Sequence, residues 1–201
     1  TFGVFTLSPG AQLTARSSLK LSYFDLEAMK RVNTLNWQWT GSAGVRYAYL
    51  SQSYDSAVSP PGAAANGGSF LSQRHFFNGA GPTVSFMGRR PIGDSPIGIF
   101  GSGRASMLFG NDQQSISEAY LSGLSTSYYR ASWGVLPQAE LEFGADFRRP
   151  IGQKTLIIEN ALTGQSWFGA GTSSGSTALG GNVSQATLGF YGWRASVGMT
   201  Y

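Results

Sequence analysis

The chain has 201 residues, of which only 12% are charged; its net charge is +4, it has no cysteine and it has a single histidine. Soluble globular domains carry roughly 25% charged residues, so this chain is short of the side chains that would cover a water-facing surface. The absence of cysteine excludes a disulfide framework and thiolate metal sites, and the basic residues are too dispersed for the footprint of a nucleic-acid binder.

Apolar runs are only a few residues long, whereas a membrane-spanning helix needs about 20. A membrane route would therefore have to be a closed barrel, which satisfies every backbone group internally. Thr1 is not an initiator methionine and no signal peptide is visible, which suits the mature form of an exported protein or a trimmed part of a longer one. An all-β barrel of this length is expected to form a single domain, here 1–201.

In chain order, Phe2, Val4 and Phe5 suggest a short opening strand within the N-terminal segment 1–16, closed by Pro9 and Gly10. Residues 17–32 predict the first long strand, with Phe24, Leu26 and Ala28 on one face and Asp25 and Glu27 on the other. Leu19, Leu21 and Tyr23 share the parity of the charges, so a bulge near Tyr23 is expected. LEAMKR also favours helix locally, which leaves a helix as the competing assignment. A turn at 33–36 precedes a clear strand in which Trp37, Trp39, Ala43, Val45, Tyr47 and Tyr49 alternate with Gln38, Thr40, Ser42 and Arg46. The Pro- and Gly-rich stretch 54–69 is expected to be a loop.

Residues 70–90 carry Phe76, Ala80, Val84 and Phe86 against His75, Gly79, Thr83 and Ser85. RRPIGDSP (89–96) is a tight connection. The next strand sets Ile97, Ile99, Ala105, Met107 and Phe109 against Ser102, Arg104 and Ser106, with a polar loop expected at 111–127. The cleanest alternation spans 130–148, where Trp133, Val135, Leu141 and Phe143 interleave with Arg130, Gln138, Glu140, Glu142, Asp146 and Arg148. RRPIG then recurs at 148–152, a hairpin-level repeat rather than a binding motif. It leads to a strand with Leu156, Ile158 and Leu162 opposite Glu159, Thr163 and Gln165, followed by a small-residue loop at 169–182.

The last strand alternates Tyr191, Trp193, Ala195, Val197, Met199 and Tyr201 with Gly192, Arg194, Ser196, Gly198 and Thr200. This ending resembles the C-terminal strand of bacterial outer-membrane barrels. The resemblance marks Trp193, Val197, Met199 and Tyr201 as an assembly signal; an edge strand of a soluble sandwich is the alternative. The expected connections alternate long (54–69, 111–127, 169–182) and short (33–36, 89–95, 149–153), which puts all tight ones at one end, as in transmembrane barrels with short periplasmic turns. Trp37, Trp39, Tyr47, Tyr49, Tyr128, Tyr129, Trp133, Trp167, Trp193 and Tyr201 gather near strand ends as interfacial girdles would.

The blocks FDLEAMKR (24–31), SAGVRYAYLSQSYD (42–55), FNGAGPTVSFMGRRPIG (77–93), IGIFGSGRASMLFG (97–110) and GFYGWRASVGMTY (189–201) resemble, in order, the pore-forming outer-membrane family typified by the legionella major outer-membrane protein. The resemblance implies an antiparallel up-and-down barrel in the outer membrane with porin-like activity. Its expected partners are the bilayer, lipopolysaccharide and the barrel assembly machinery, with self-association or surface assembly through the long loops and no nucleic acid.

Seven long strands plus the opening one make eight, and an eight-stranded barrel is only wide enough for its side chains to fill. The expected lumen charge network is Asp25, Glu27, Arg46, Arg104, Arg130, Glu140, Glu142, Asp146, Arg148, Glu159 and Arg194, either packed as ion pairs or lining a channel. Within it, Glu27 and Arg46 are expected to pair across the 33–36 turn. Alternatives are a structural or surface-assembly anchor without a channel, and an inverted, lipocalin-like soluble ligand binder. No enzyme is expected: His75 is the lone histidine and no nucleophile motif accompanies it. GSGR (101–104) sits in a strand pattern with no helix after it and is not a phosphate loop. No cofactor or metal is implied.

Overall fold

A computed structural model describes residues 9–61, 68–120, 123–174 and 183–200. The opening strand at 2–5 and Tyr201 lie outside the described residues. Seven strands follow in chain order: β1 (Gln12–Thr34), β2 (Trp37–Ser59), β3 (Ser69–Pro91), β4 (Ile97–Ala119), β5 (Ser125–Ile151), β6 (Lys154–Ser174) and β7 (Val183–Thr200). They form one antiparallel up-and-down sheet in the order β1-β2-β3-β4-β5-β6-β7, with no helix among the described residues. The sheet curls without β1 and β7 pairing among the described residues, and it brings β1 and β6 together side chain to side chain. Tyr23 of β1 accepts a hydrogen bond from Gln165 Nε2 of β6 at 3.2 Å, and its ring lies 6.1 Å from that of Trp167.

Period-two alternation sets the two faces. Leu26 (72% exposed), Leu141 (71%) and Phe143 (66%) stand on the outside, while Arg46 (1%), His75 (2%) and Gln138 (2%) are enclosed. A soluble domain would have this reversed, so the lipocalin-like inversion is ruled out by the geometry: the greasy parity faces out, where only lipid can cover it.

The helix considered for 17–32 is strand throughout, because pairing across β2 overrides a local preference worth only tenths of a kcal/mol per residue. The bulge expected near Tyr23 is absent: β1 pairs with β2 from Gln12↔Ser59 to Thr34↔Trp37 without a shift. Leu21 and Tyr23 stay on the inner parity.

The long connections are shorter than expected. Strand pairing consumes most of the anticipated loops, leaving 60–68, 120–124 and 175–182 opposite the tight ends at 35–36, 92–96 and 152–153. The polar stretch 111–119, expected as loop, is paired strand opposite 125–133. A strand of 23 residues is about 75 Å long at about 3.3 Å per residue, well beyond the 9–11 residues that cross a bilayer. The apolar outer band occupies only the half nearer the tight turns, such as 97–109 of β4 and 133–147 of β5, and the far half continues as strand with Asn111, Gln113, Ser115 and Ser117 outside. The asymmetry expected in the loops is carried by projecting strands instead.

Both RRPIG copies end a strand in the same way. Arg89 and Arg148 point inward and meet on one carboxylate, Asp146, whereas Arg90 and Arg149 are exposed outside. Gly93 (φ 56°) and Gly152 (φ 63°) then supply the left-handed residue that each turn needs. At the far end, Gly169 (φ 77°) and a register shift between Trp167 and Gly171 bend β6 away from β5, whose pairing with β6 begins only at Gln138↔Trp167.

Candidate functional site in the sheet interior

The interior is stacked from the tight turns upward. Because the strands tilt, residues at one height come from stepped register positions. Nearest the turns, Arg89 Nε donates to Asp146 Oδ2 at 2.6 Å, Arg148 shares that oxygen, and Arg148 Nη1 reaches Gln38 Oε1 at 3.3 Å. Gly98 makes room: a Cβ there would lie 2.5 Å from Asp146 Oδ1 and 2.6 Å from Arg89 Nη2.

Above, two clusters form. Arg194 Nε donates to Glu142 at 3.1 Å, and Arg194 Nη2 and Ser196 both donate to Glu159 at 3.2 Å. Across from them Arg104 bonds Glu27 and, at 3.1 Å, Asp25, while Ser42 donates to Glu27 at 2.7 Å and touches Ser85 at 2.6 Å. The hub is Arg46. Its guanidinium grips Asp25 through two bonds of 2.6 and 2.8 Å, donates to Gln138 Oε1 at 2.8 Å, lies 3.8 Å from Glu140 and stacks 4.6 Å over the Tyr23 ring. The fork geometry of arginine suits this bidentate grip.

The expected Glu27–Arg46 pair does not form. The register sets Arg46 opposite Asp25 and Glu27 opposite Gly44, one inward-facing step short of a direct pair, and Glu27 is bonded instead by Ser42 and Arg104. The remaining network residues lie as just described, except Arg130, which is exposed far above the others and has no ion pair among the described residues. Its height, not its parity, removes it. Arg89 was missed, because its strand end reads as turn.

Over the charges lies an apolar layer to which every strand contributes: Leu21 of β1, Ala48 and Leu50 of β2, Phe77 of β3, Leu108 of β4, Leu136 of β5, Trp167 and Ala170 of β6, and Leu188 and Phe190 of β7. Leu50, Leu108 and Trp167 are fully enclosed. Trp167 thus belongs to the interior and not to an interfacial girdle. The signal for this layer was present as large apolar residues interrupting the polar parity of the strands. In β1 it was taken for a bulge.

Higher still, His75 Nε2 lies 2.8 Å from Asp112 Oδ1 and Nδ1 lies 2.8 Å from the carbonyl of Ala170, at the bend of β6. Both ring nitrogens face acceptors, so His75 clasps β3 and β4 to the bent strand across the interior. Of the assembly-signal residues, Trp193, Val197 and Met199 stand exposed on the outer face.

An up-and-down sheet that is apolar outside and ion-paired inside has the architecture of a transmembrane β-barrel of bacterial outer membranes. The chain belongs to one family of that class: the family described as Legionella pneumophila major outer membrane protein precursor matches residues 11–200, nearly the whole length. Its location is therefore the bacterial outer membrane. No curated protein and no solved structure matches the chain.

Proposed function

We propose that this protein is a filled, non-conducting barrel that anchors its projecting strands and far-end connections at the cell surface. The observation that carries the reading is the apolar layer drawn from all seven strands, with Leu50, Leu108 and Trp167 fully enclosed. Packed hydrocarbon across the interior excludes hydrated ions, as hydrophobic constrictions do in channels. The charges beneath it then act as an internal lattice of ion pairs, His75 is a structural clasp rather than a catalyst, and the outer face of β7 is what the assembly machinery reads. Lipopolysaccharide and self-association through the far ends are the contacts this reading expects.

A porin reading is favoured by the family match and by the wet lower charges, since the side chain of Arg194 is 41% exposed. Planar-bilayer recording distinguishes the two. The filled barrel gives no steady single-channel steps in the wild type. Steps whose cation-to-anion preference shifts in Glu142→Gln would overturn it in favour of the pore.

A further inference from the structure

Charge is sorted across the sheet. Among the described residues, the acids of the strands other than Asp55 lie on the inner parity, while Lys30, Arg90, Arg149 and Lys154 stand on the outer face near the tight turns, where the remaining acid is Asp94 in a turn. Just above this basic rim the lipid-facing surface is hollowed into a groove of about 850 Å³. Its floor includes Gly88, Gly101 and Gly103, and Phe86, Leu141 and Phe143 rise beside it. One wall is an aromatic ladder: Trp37 stacks on Trp39 at 5.0 Å and Trp39 on Phe86 at 5.1 Å. Trp39 also lies directly against Gly88, where a Cβ would come within 2.4 Å of its ring. At the foot of the ladder, the Arg90 guanidinium sits 5.8 Å over the Trp37 ring.

We infer that this groove is a binding site for one anionic glycerophospholipid of the periplasmic leaflet, with an acyl chain along the glycine floor and its phosphate at Arg90. The groove opens onto the hydrocarbon, and an unfilled hollow there forfeits the dispersion contacts of its walls. Its volume falls in the range of ordinary ligand pockets. Tryptophan belongs at headgroup depth, which places Arg90 where a phosphate lies, and arginine binds phosphate through two parallel N–H bonds. The tight turns mark the periplasmic side, so the occupant is a phospholipid of that leaflet rather than the glycolipid of the outer one. The site does not depend on whether the interior conducts.

The test is native mass spectrometry of the folded barrel released from nonionic detergent, titrated separately with phosphatidylglycerol and phosphatidylcholine of identical chains. The wild type should retain one phosphatidylglycerol, preferred roughly five- to tenfold, as one or two cations near a headgroup would give. Arg90→Gln should bring the two lipids to near parity. Gly103→Leu, whose Cβ would meet Leu141 at an ordinary 3.5 Å, should fill the floor and lower retention of both, with folding verified by heat-modifiable migration. Equal retention of both lipids by the wild type, or unchanged retention in Gly103→Leu, overturns the site. So does a wild-type dimer that Gly103→Leu splits without changing lipid retention, since the groove would then seat a second copy.

Discussion

The half of the sheet near the tight turns and the half beyond the apolar layer share the same strands but obey different chemistry. In the lower half the outer parity is greasy, as at Val84, Met107 and Leu141, and the inner parity holds ion pairs. In the upper half the outer parity is mostly polar, as at Ser53, Gln113 and Ser117, with Phe70 and Tyr129 as exceptions, and the inner parity mixes Ile116 with Gln73, Gln114 and Glu118. Alternation alone therefore does not say which face is which. The surrounding medium does: lipid around one half demands apolar cover, and water around the other removes that demand.

The largest effect expected from breaking this contrast lies inside. Asp25→Ala leaves the enclosed Arg46 without its bidentate partner, and removing one member of a buried pair costs about 3–5 kcal/mol. Urea unfolding of the vesicle-refolded protein should show that loss, and Glu27→Gln should show less, because its partner Arg104 is partly exposed. A larger loss for Glu27→Gln would place the hub elsewhere.

Next comes the outer face, where the two halves can be set against each other directly. Leu141→Arg should cost roughly 2–4 kcal/mol near the midplane, while Ser117→Arg, on the outer parity of the projecting half, should stay within about 0.5 kcal/mol. Equal costs in the same unfolding assay would mean that the bilayer does not end where the apolar band does.

Gly98→Ala sharpens the account of the lowest charges. The added methyl crowds the Arg89–Asp146 pair, and overpacking of this kind costs about 1–3 kcal/mol. If a double variant with Arg89→Gln recovers no stability, the glycine is not there to house the pair. The smallest change expected is a gain: Leu35 holds φ 36° in the two-residue β1–β2 turn, and Leu35→Asn should raise stability by about 0.5–1 kcal/mol, since asparagine tolerates the left-handed region. A lower urea midpoint would show that Leu35 contributes more than turn geometry.

Much was legible in the residues themselves. Period-two patterning identified the seven long strands and, apart from the bulge expected in β1, their faces, because alternation is a property of the extended backbone and needs no partner. The same parity put Arg130 among the charges that pair inside, though it is exposed, and Arg89 was missed at a strand end that reads as turn. Sequence also held the closing strand with Trp193, Val197 and Met199 on one side.

Tertiary structure decided what depends on register and height. Whether Arg46 meets Asp25 or Glu27 turns on where one hairpin begins, and parity is blind to a shift of two residues. Arg89 of β3 reaches Asp146 of β5 only because Gly98 of the intervening β4 leaves room between them, and Arg148 joins from two residues along β5. The layer from Leu21 to Phe190 looked like scattered exceptions to the pattern until the strands were stacked side by side. Each exception is weak in its own strand, and only the register that aligns the strands makes them a continuous apolar floor.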